Sequence, residues 1–202
     1  MSLRLGFLAS HGGTSMRAIV AAIDDATLAA MPALVIGNNR DAPALDFARA
    51  RGLPWRHVSA TSAGSAAAAD RAMTDALAAA EVNLVVLSGY LRKLGPLTLA
   101  RFAGRILNVH PALLPKFGGQ GMYGNRVHAA VLAAGEPVSG ATIHLVDEHY
   151  DQGPVLAQAE VPVLPGDDVD ALAARVAQAE TRLFVATLRR IADGSLRLPD
   201  GP

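Results

Sequence analysis

The chain has 202 residues, 51% of them hydrophobic, which is enough for the core of one domain and too apolar for a disordered chain. Its 18 basic and 18 acidic residues cancel, removing the electrostatic case for a general nucleic-acid or acidic-membrane binder. The lack of cysteine excludes a disulfide framework, a thiolate metal site and a cysteine nucleophile.

The apolar run LRLGFLA (3–9) stops at Ser10-His11-Gly12-Gly13 and reads as a buried strand. It is too short and interrupted for a signal peptide or a membrane span, so a cytoplasmic location is expected. Met16, Ile19, Val20 and Ile23 recur at helical spacing, with Thr14 or Ser15 as the expected N-cap. ALVIGN (33–38) is a second strand, 43–51 a second helix closed by Gly52, and PWRHVS a third strand. The alanine-rich stretch 66–80 is a helix capped by Ser65, and VNLVVLSG (82–89) a central strand covered on both faces. A short helix near 96–102 leads to a fifth strand, RILNVH.

GATIHLVD and PVLAQAEVPV, joined by EHYDQG, then suggest an antiparallel pair at the sheet edge. A final helix from about 168 to 192 turns Leu172, Val176, Ala179 and Leu183 inward. The expected architecture is α/β. A single domain, 1–202, holds a mostly parallel central sheet with helices on both faces and an antiparallel C-terminal strand pair.

In such a sheet, ligands bind beyond the carboxyl ends of the strands. The loop SHGGTS opens a helix, and its N–H groups suit a phosphate, although the same turn can bind nothing. It is neither G-x-G-x-x-G nor a Walker loop. Asn108 and His110, two apart on an extended run, project to one side. An Asn amide can donate to a developing oxyanion and a His can move a proton near neutral pH; alternatively the pair only satisfies local backbone. Asp151, in the Gly-Pro-closed turn, is placed to raise the His110 pKa, with Asp147 and Glu148 as rival acids.

The segments NVHPALLPKFGG, SGATIHLVDEHYDQGPVLAQAEVPV and DDVDALAARVAQAE together resemble the folate-dependent formyltransferases, over nearly the whole chain. Within them the chain is most similar to the branch acting on glycinamide ribonucleotide. The resemblance implies a Rossmann-like formyltransferase fold and the catalytic trio Asn108, His110 and Asp151. His11, Gly12, Gly13, Thr14 and Ser15 would take the ribonucleotide phosphate, and Glu180 the sugar hydroxyls. Tyr90, Leu91, Arg92, Leu94, Val146 and Asp147 would line a folate pocket, with His144 supporting the centre. It implies no metal and no tightly bound cofactor, with 10-formyltetrahydrofolate as cosubstrate. The implied partners are small molecules rather than nucleic acid or membrane, and a homodimer is compatible with the family.

Departures from the family pattern are visible. His11 stands where the family loop has glycine, and Ser15 where it has Asn. FGGQGMYGNRVH looks like a lengthened variant of the usual turn, and its four glycines between 118 and 124 suit a mobile flap. Met122 and Tyr123 are placed to pack on a ligand, or the segment is a plain surface loop. His128 reads as a packing or capping residue, and His57 and His149 as exposed. Rival readings are another formyl acceptor (methionyl-tRNA, an amino sugar or water) and a silent folate- or nucleotide-binding module.

Overall fold

The structure, a computed structural model, describes residues 2–199. The first half runs β1 (Leu3–Ala9), α1 (Thr14–Asp24), β2 (Ala30–Gly37), α2 (Pro43–Ala50), β3 (Trp55–His57), α3 (Ala60–Ala63) and α4 (Ala66–Ala79). The second half runs β4 (Leu84–Leu87), α5 (Pro96–Arg101), β5 (Ile106–His110), α6 (Asn125–Ala133), β6 (Val138–Leu145), β7 (Val155–Pro162) and α7 (Val169–Ala192). The strands form one seven-stranded sheet in the order β3-β2-β1-β4-β5-β6-β7. All pairs through β4–β5 are parallel, and β5–β6 and β6–β7 are antiparallel.

Strand periodicity sorts the core into two layers. Leu5, Phe7 and Ala9 of β1 join Val35, Val86, Leu107 and Ile143 under α1, α2 and the C-terminal half of α7. Leu8, Ile36, Val85, Leu87 and Ile106 face Met73 and Leu77 of α4 on the opposite side. Each fully buried large side chain of this kind contributes about 1.5–3 kcal/mol. Gly6 belongs to the second face, where a Cβ would meet Leu77 Cδ2 at 2.6 Å, so bare backbone lets α4 approach the sheet.

Local structure departs from the expected in a few places. Neither Thr14 nor Ser15 caps α1; Gly13 does, in the left-handed region (φ 64°), with no side-chain cap bond. The turn is too tight for a residue with a Cβ, which would press on Met16 and Ala44. Strand β4 is shorter than 82–89, because Glu81 turns at φ 53° and Val82 N still bonds back to Leu77 O. The four-residue α3 was not foreseen; Ser59 and Ser62 build it by a reciprocal capping box. Ser65 caps α4 as expected, accepting from Ala68 N at 3.0 Å.

Candidate active site

The parallel strands β1 and β4 lie side by side where the strand order reverses, which opens a crevice at their carboxyl ends. A cavity of about 530 Å³ occupies it, walled by the glycine loop, the ends of β4 and β5, the flap and one face of α7. A narrow pocket of about 90 Å³ lies beside it and shares Tyr90, Arg92, Asn108, Tyr150 and Asp151 with it.

At one end, the loop 11–15 presents its backbone to the cavity. Met16 N is taken by Ser88 Oγ at 2.9 Å, and Arg17 Nε holds Gly12 O from outside at 2.8 Å. The N–H groups of Thr14 and Ser15 find no partner among the described residues, leaving two donors at a helix N-terminus for an anion. His11 is exposed at the rim. Opposite, Ala173, Ala177 and Glu180 of α7, spaced four and three apart, form one helical face against the cavity. The alanines leave room there. Burial pushes the Glu180 carboxyl up to about 7 from 4.5.

The centre is built by register. Antiparallel pairing sets His144 opposite Asn108 and Thr142 opposite His110. Asn108 Nδ2 accordingly lies 3.1 Å from His144 Nε2. His144 Nδ1 donates to the Leu145 carbonyl at 2.9 Å, so in the neutral ring Nε2 is the acceptor for one Asn108 N–H. The second N–H of that amide is left for the cleft. Thr142 holds the chain after His110, donating to Ala112 O at 2.6 Å and accepting from Leu114 N at 3.0 Å.

Asp151 meets both imidazoles: Oδ2 is 3.4 Å from His110 Nδ1, and Oδ1 is 3.5 Å from His144 Nε2. Its backbone is left-handed (φ 57°), as is that of Phe117 (φ 57°), a conformation that costs a non-glycine residue about 1–2 kcal/mol. Both strained residues touch His110, whose Nε2 donates to Phe117 O at 2.7 Å. Gly119 N donates to Asp151 Oδ2 at 2.9 Å. Burial works to raise the Asp151 carboxyl, but His144 and His110, when they carry their second proton, and the Gly119 N–H outweigh it and hold it below 3.8.

His110 overturns one expectation. Asp151 does favour its protonation, but burial is the stronger influence and brings the imidazole below 6.5. The ring therefore stands neutral at pH 7, with Nε2 protonated toward Phe117 and Nδ1 bare toward Asp151.

The remaining sites divide. Tyr90, Leu91 and Arg92 line the main cavity, whereas Leu94, Val146 and Asp147 line only the narrow pocket. Met122 and Tyr123 edge the main cavity, with Tyr123 47% exposed and Arg126 stacked 5.0 Å over its ring. His149 is exposed as expected, but His57 is half-buried, because β3 is hydrogen-bonded into the sheet there. His128 is buried as a packing residue would be, but it also lines the main cavity, and its Nδ1 has no partner among the described residues. Sequence reasoning missed the Phe117 carbonyl and the Gly119 N–H, since backbone groups leave no residue signature. It also missed the Ala173–Ala177 face, which the spacing from Glu180 does signal. Among the described residues no group of three or more His, Asp or Glu is poised to hold a metal, and no helix is long and apolar enough to cross a membrane.

Comparison with known proteins agrees with this architecture. The family model described as formyl transferase matches residues 3–188. Phosphoribosylglycinamide formyltransferase of Mycobacterium tuberculosis is 44% identical over 94% of this chain and 85% of its own length. The chloroplastic protein of that name from Vigna unguiculata is 39% identical, and the match spans 94% of this chain but only 61% of that longer protein. The crystal structure of glycinamide ribonucleotide transformylase 1 from Symbiobacterium toebii superposes with a TM-score of 0.90 at 35% identity, over 98% of this chain and 95% of that one. By family model, sequence and fold alike, the chain belongs to the formyl transferase family.

Proposed function

We propose that this protein transfers the formyl group of 10-formyltetrahydrofolate to the amine of glycinamide ribonucleotide, the step that formylates this nucleotide in purine biosynthesis. The observation that carries the reading is the meeting of Asn108, His110 and Asp151 between an anion-type loop and a narrow pocket. The phosphate sits on the N–H groups of 12–15, and the ribose hydroxyls donate to Glu180. The pteridine enters the pocket of Leu94, Val146 and Asp147, with Tyr90, Leu91 and Arg92 at its mouth. The folate binds as a cosubstrate that comes and goes.

The neutral amine attacks the formyl carbon, and negative charge grows on the formyl oxygen. The free N–H of Asn108 and the Nε2–H of His110, released from the Phe117 carbonyl, donate to it. The amine nitrogen loses its proton through water to His110 Nδ1, on the Asp151 side of the ring, and Asp151 stabilises the imidazolium so formed. When the carbon–N10 bond breaks, that proton passes to N10. The products are the formylated amide and tetrahydrofolate, and no covalent enzyme intermediate is required. His144 acts as a positioning residue, fixing the Asn108 amide.

The test is folate deformylation with 10-formyltetrahydrofolate, with and without glycinamide ribonucleotide. Turnover that depends on the ribonucleotide, one formyl per acceptor, is expected. Turnover without any acceptor would assign a hydrolase, and no turnover a silent binding module.

A further inference from the structure

His128 lies on α6, the helix that follows the flap, and is only 4% exposed. Its ring lines the main cavity together with His110, Gly124 and Ala173. Nδ1 is enclosed and has no hydrogen-bond partner among the described residues. Leaving a buried polar atom unpaired costs about 1–3 kcal/mol, and native proteins keep few. With Nδ1 enclosed, Nε2 is the ring nitrogen left to meet a ligand in the cavity.

The protonation pattern of the ring follows from its surroundings. Burial first, and the neighbouring His110 second, hold the imidazole below 6.5, so it is neutral at pH 7. A neutral imidazole carries one N–H and one bare nitrogen. An orphaned buried N–H is rarer than an orphaned acceptor, which leaves Nδ1 bare and puts the proton on Nε2. The ring therefore offers a fixed N–H donor to the cavity. It is ill suited to shuttle protons, because a charge on it would oppose the imidazolium that His110 must become.

We propose that His128 is a substrate-binding residue, its Nε2–H donating to an oxygen of the ribonucleotide that lies between the phosphate and the amine. Resting on the ribonucleotide reading of the cavity, this assignment adds a second contact, beside Glu180, between the phosphate loop and the reacting centre. It makes α6 part of the acceptor site and gives the flap a second purpose: Gly124 turns the chain (φ 54°) so that this helix delivers its histidine to the cavity.

Steady-state kinetics on the full chain test it with two variants. His128→Phe keeps the ring shape and loses both nitrogens, whereas His128→Gln retains a donor near the Nε2 position. The Phe variant is expected to raise KM for the ribonucleotide about tenfold, the effect of one lost hydrogen bond. KM for the folate and kcat should change little, and the Gln variant should recover most of the loss. An unchanged ribonucleotide KM in the Phe variant, beside a normal wild type, overturns the assignment alone. So does an equal rise in both KM values with no rescue by Gln, which marks a packing role. A wild type without ribonucleotide-dependent transfer overturns the proposed function and this assignment with it. Should the Phe variant not fold, nitrogen-15 NMR of the wild type decides. The free protein should show the Nε2–H tautomer, shifted on adding ribonucleotide; an Nδ1–H tautomer or an unmoved ring overturns the proposal.

Discussion

Glu180 gives the most quantitative handle on the proposed acceptor site. It stands half-buried on α7 with no cation beside it among the described residues, and burial alone lifts its carboxyl from 4.5 to about 7. That rise corresponds to about 2–3 kcal/mol, after allowing for the solvent that reaches a half-buried group. The sign is destabilising. A carboxyl whose folded value lies above its unfolded one costs nothing below about 4.5, and its full penalty is in place above about 7. Glu180→Gln removes the penalty, so the variant should be more stable than wild type at pH 8 and nearly equal to it at pH 4. The gap should widen by about 2 kcal/mol between these limits, or roughly 4–8 °C in Tm for a chain of this size. The same substitution removes the acceptor proposed for the ribose hydroxyls and should raise KM for the ribonucleotide by about tenfold or more. Urea denaturation at several pH values, beside kinetics on the same two proteins, measures both effects. A stability difference that is flat with pH would refute the buried-charge reasoning, and an unchanged ribonucleotide KM would refute the binding role.

Further outcomes follow from the centre itself. His110→Ala and Asp151→Asn should each lose several orders of magnitude in turnover; near-normal rates in either would contradict the roles given to them. Since the His110 imidazole lies below 6.5, kcat/KM should fall on an acid limb with a midpoint below that value. Asp151 favours the imidazolium, so Asp151→Asn should move the His110 titration lower still, followed by its ring proton shifts. An upward move would reverse the assigned electrostatics. Gly118→Ala would place a Cβ 2.5 Å from Leu114 Cδ2 and 3.2 Å from Asp151 Cβ, displacing the carboxylate. Turnover at least tenfold lower with a Tm loss of a few degrees is the expected result; wild-type turnover would show that the flap does not fix Asp151.

Much of this was legible in the sequence because it is written in side-chain periodicity. The alternation of Leu5, Phe7 and Ala9 with Leu8, and the 3.6-residue stripe of Met16, Ile19 and Val20, mark strand and helix directly. Asn108 and His110 stood out because two polar side chains, two apart, end an otherwise apolar strand. His144 shows the limit. Its closeness to Asn108 depends on antiparallel register, which no local pattern specifies, and only the family resemblance pointed to it.

The rest is written in backbone and burial. The loop 11–15 shows its glycines but not that Gly13, rather than a hydroxyl residue, ends the turn. The sign of the His110 shift is a contest between a visible carboxylate and an invisible desolvation, and desolvation wins. The contacts of the flap on His110 and Asp151 are a carbonyl and an N–H, which every residue carries. They show what the fourteen residues between β5 and α6 do for the site: two of their backbone groups hold His110 and Asp151.

The most direct measurement is a crystal structure with glycinamide ribonucleotide and a non-transferable 10-formyl folate analogue bound together. The formyl-position oxygen should lie within about 3 Å of Asn108 Nδ2 and His110 Nε2, the amine about 3–3.5 Å from the formyl carbon, and the Phe117 carbonyl released from His110. An analogue bound with its formyl position away from Asn108 and His110, or a ribonucleotide phosphate seated anywhere but on residues 12–15, would contradict the account.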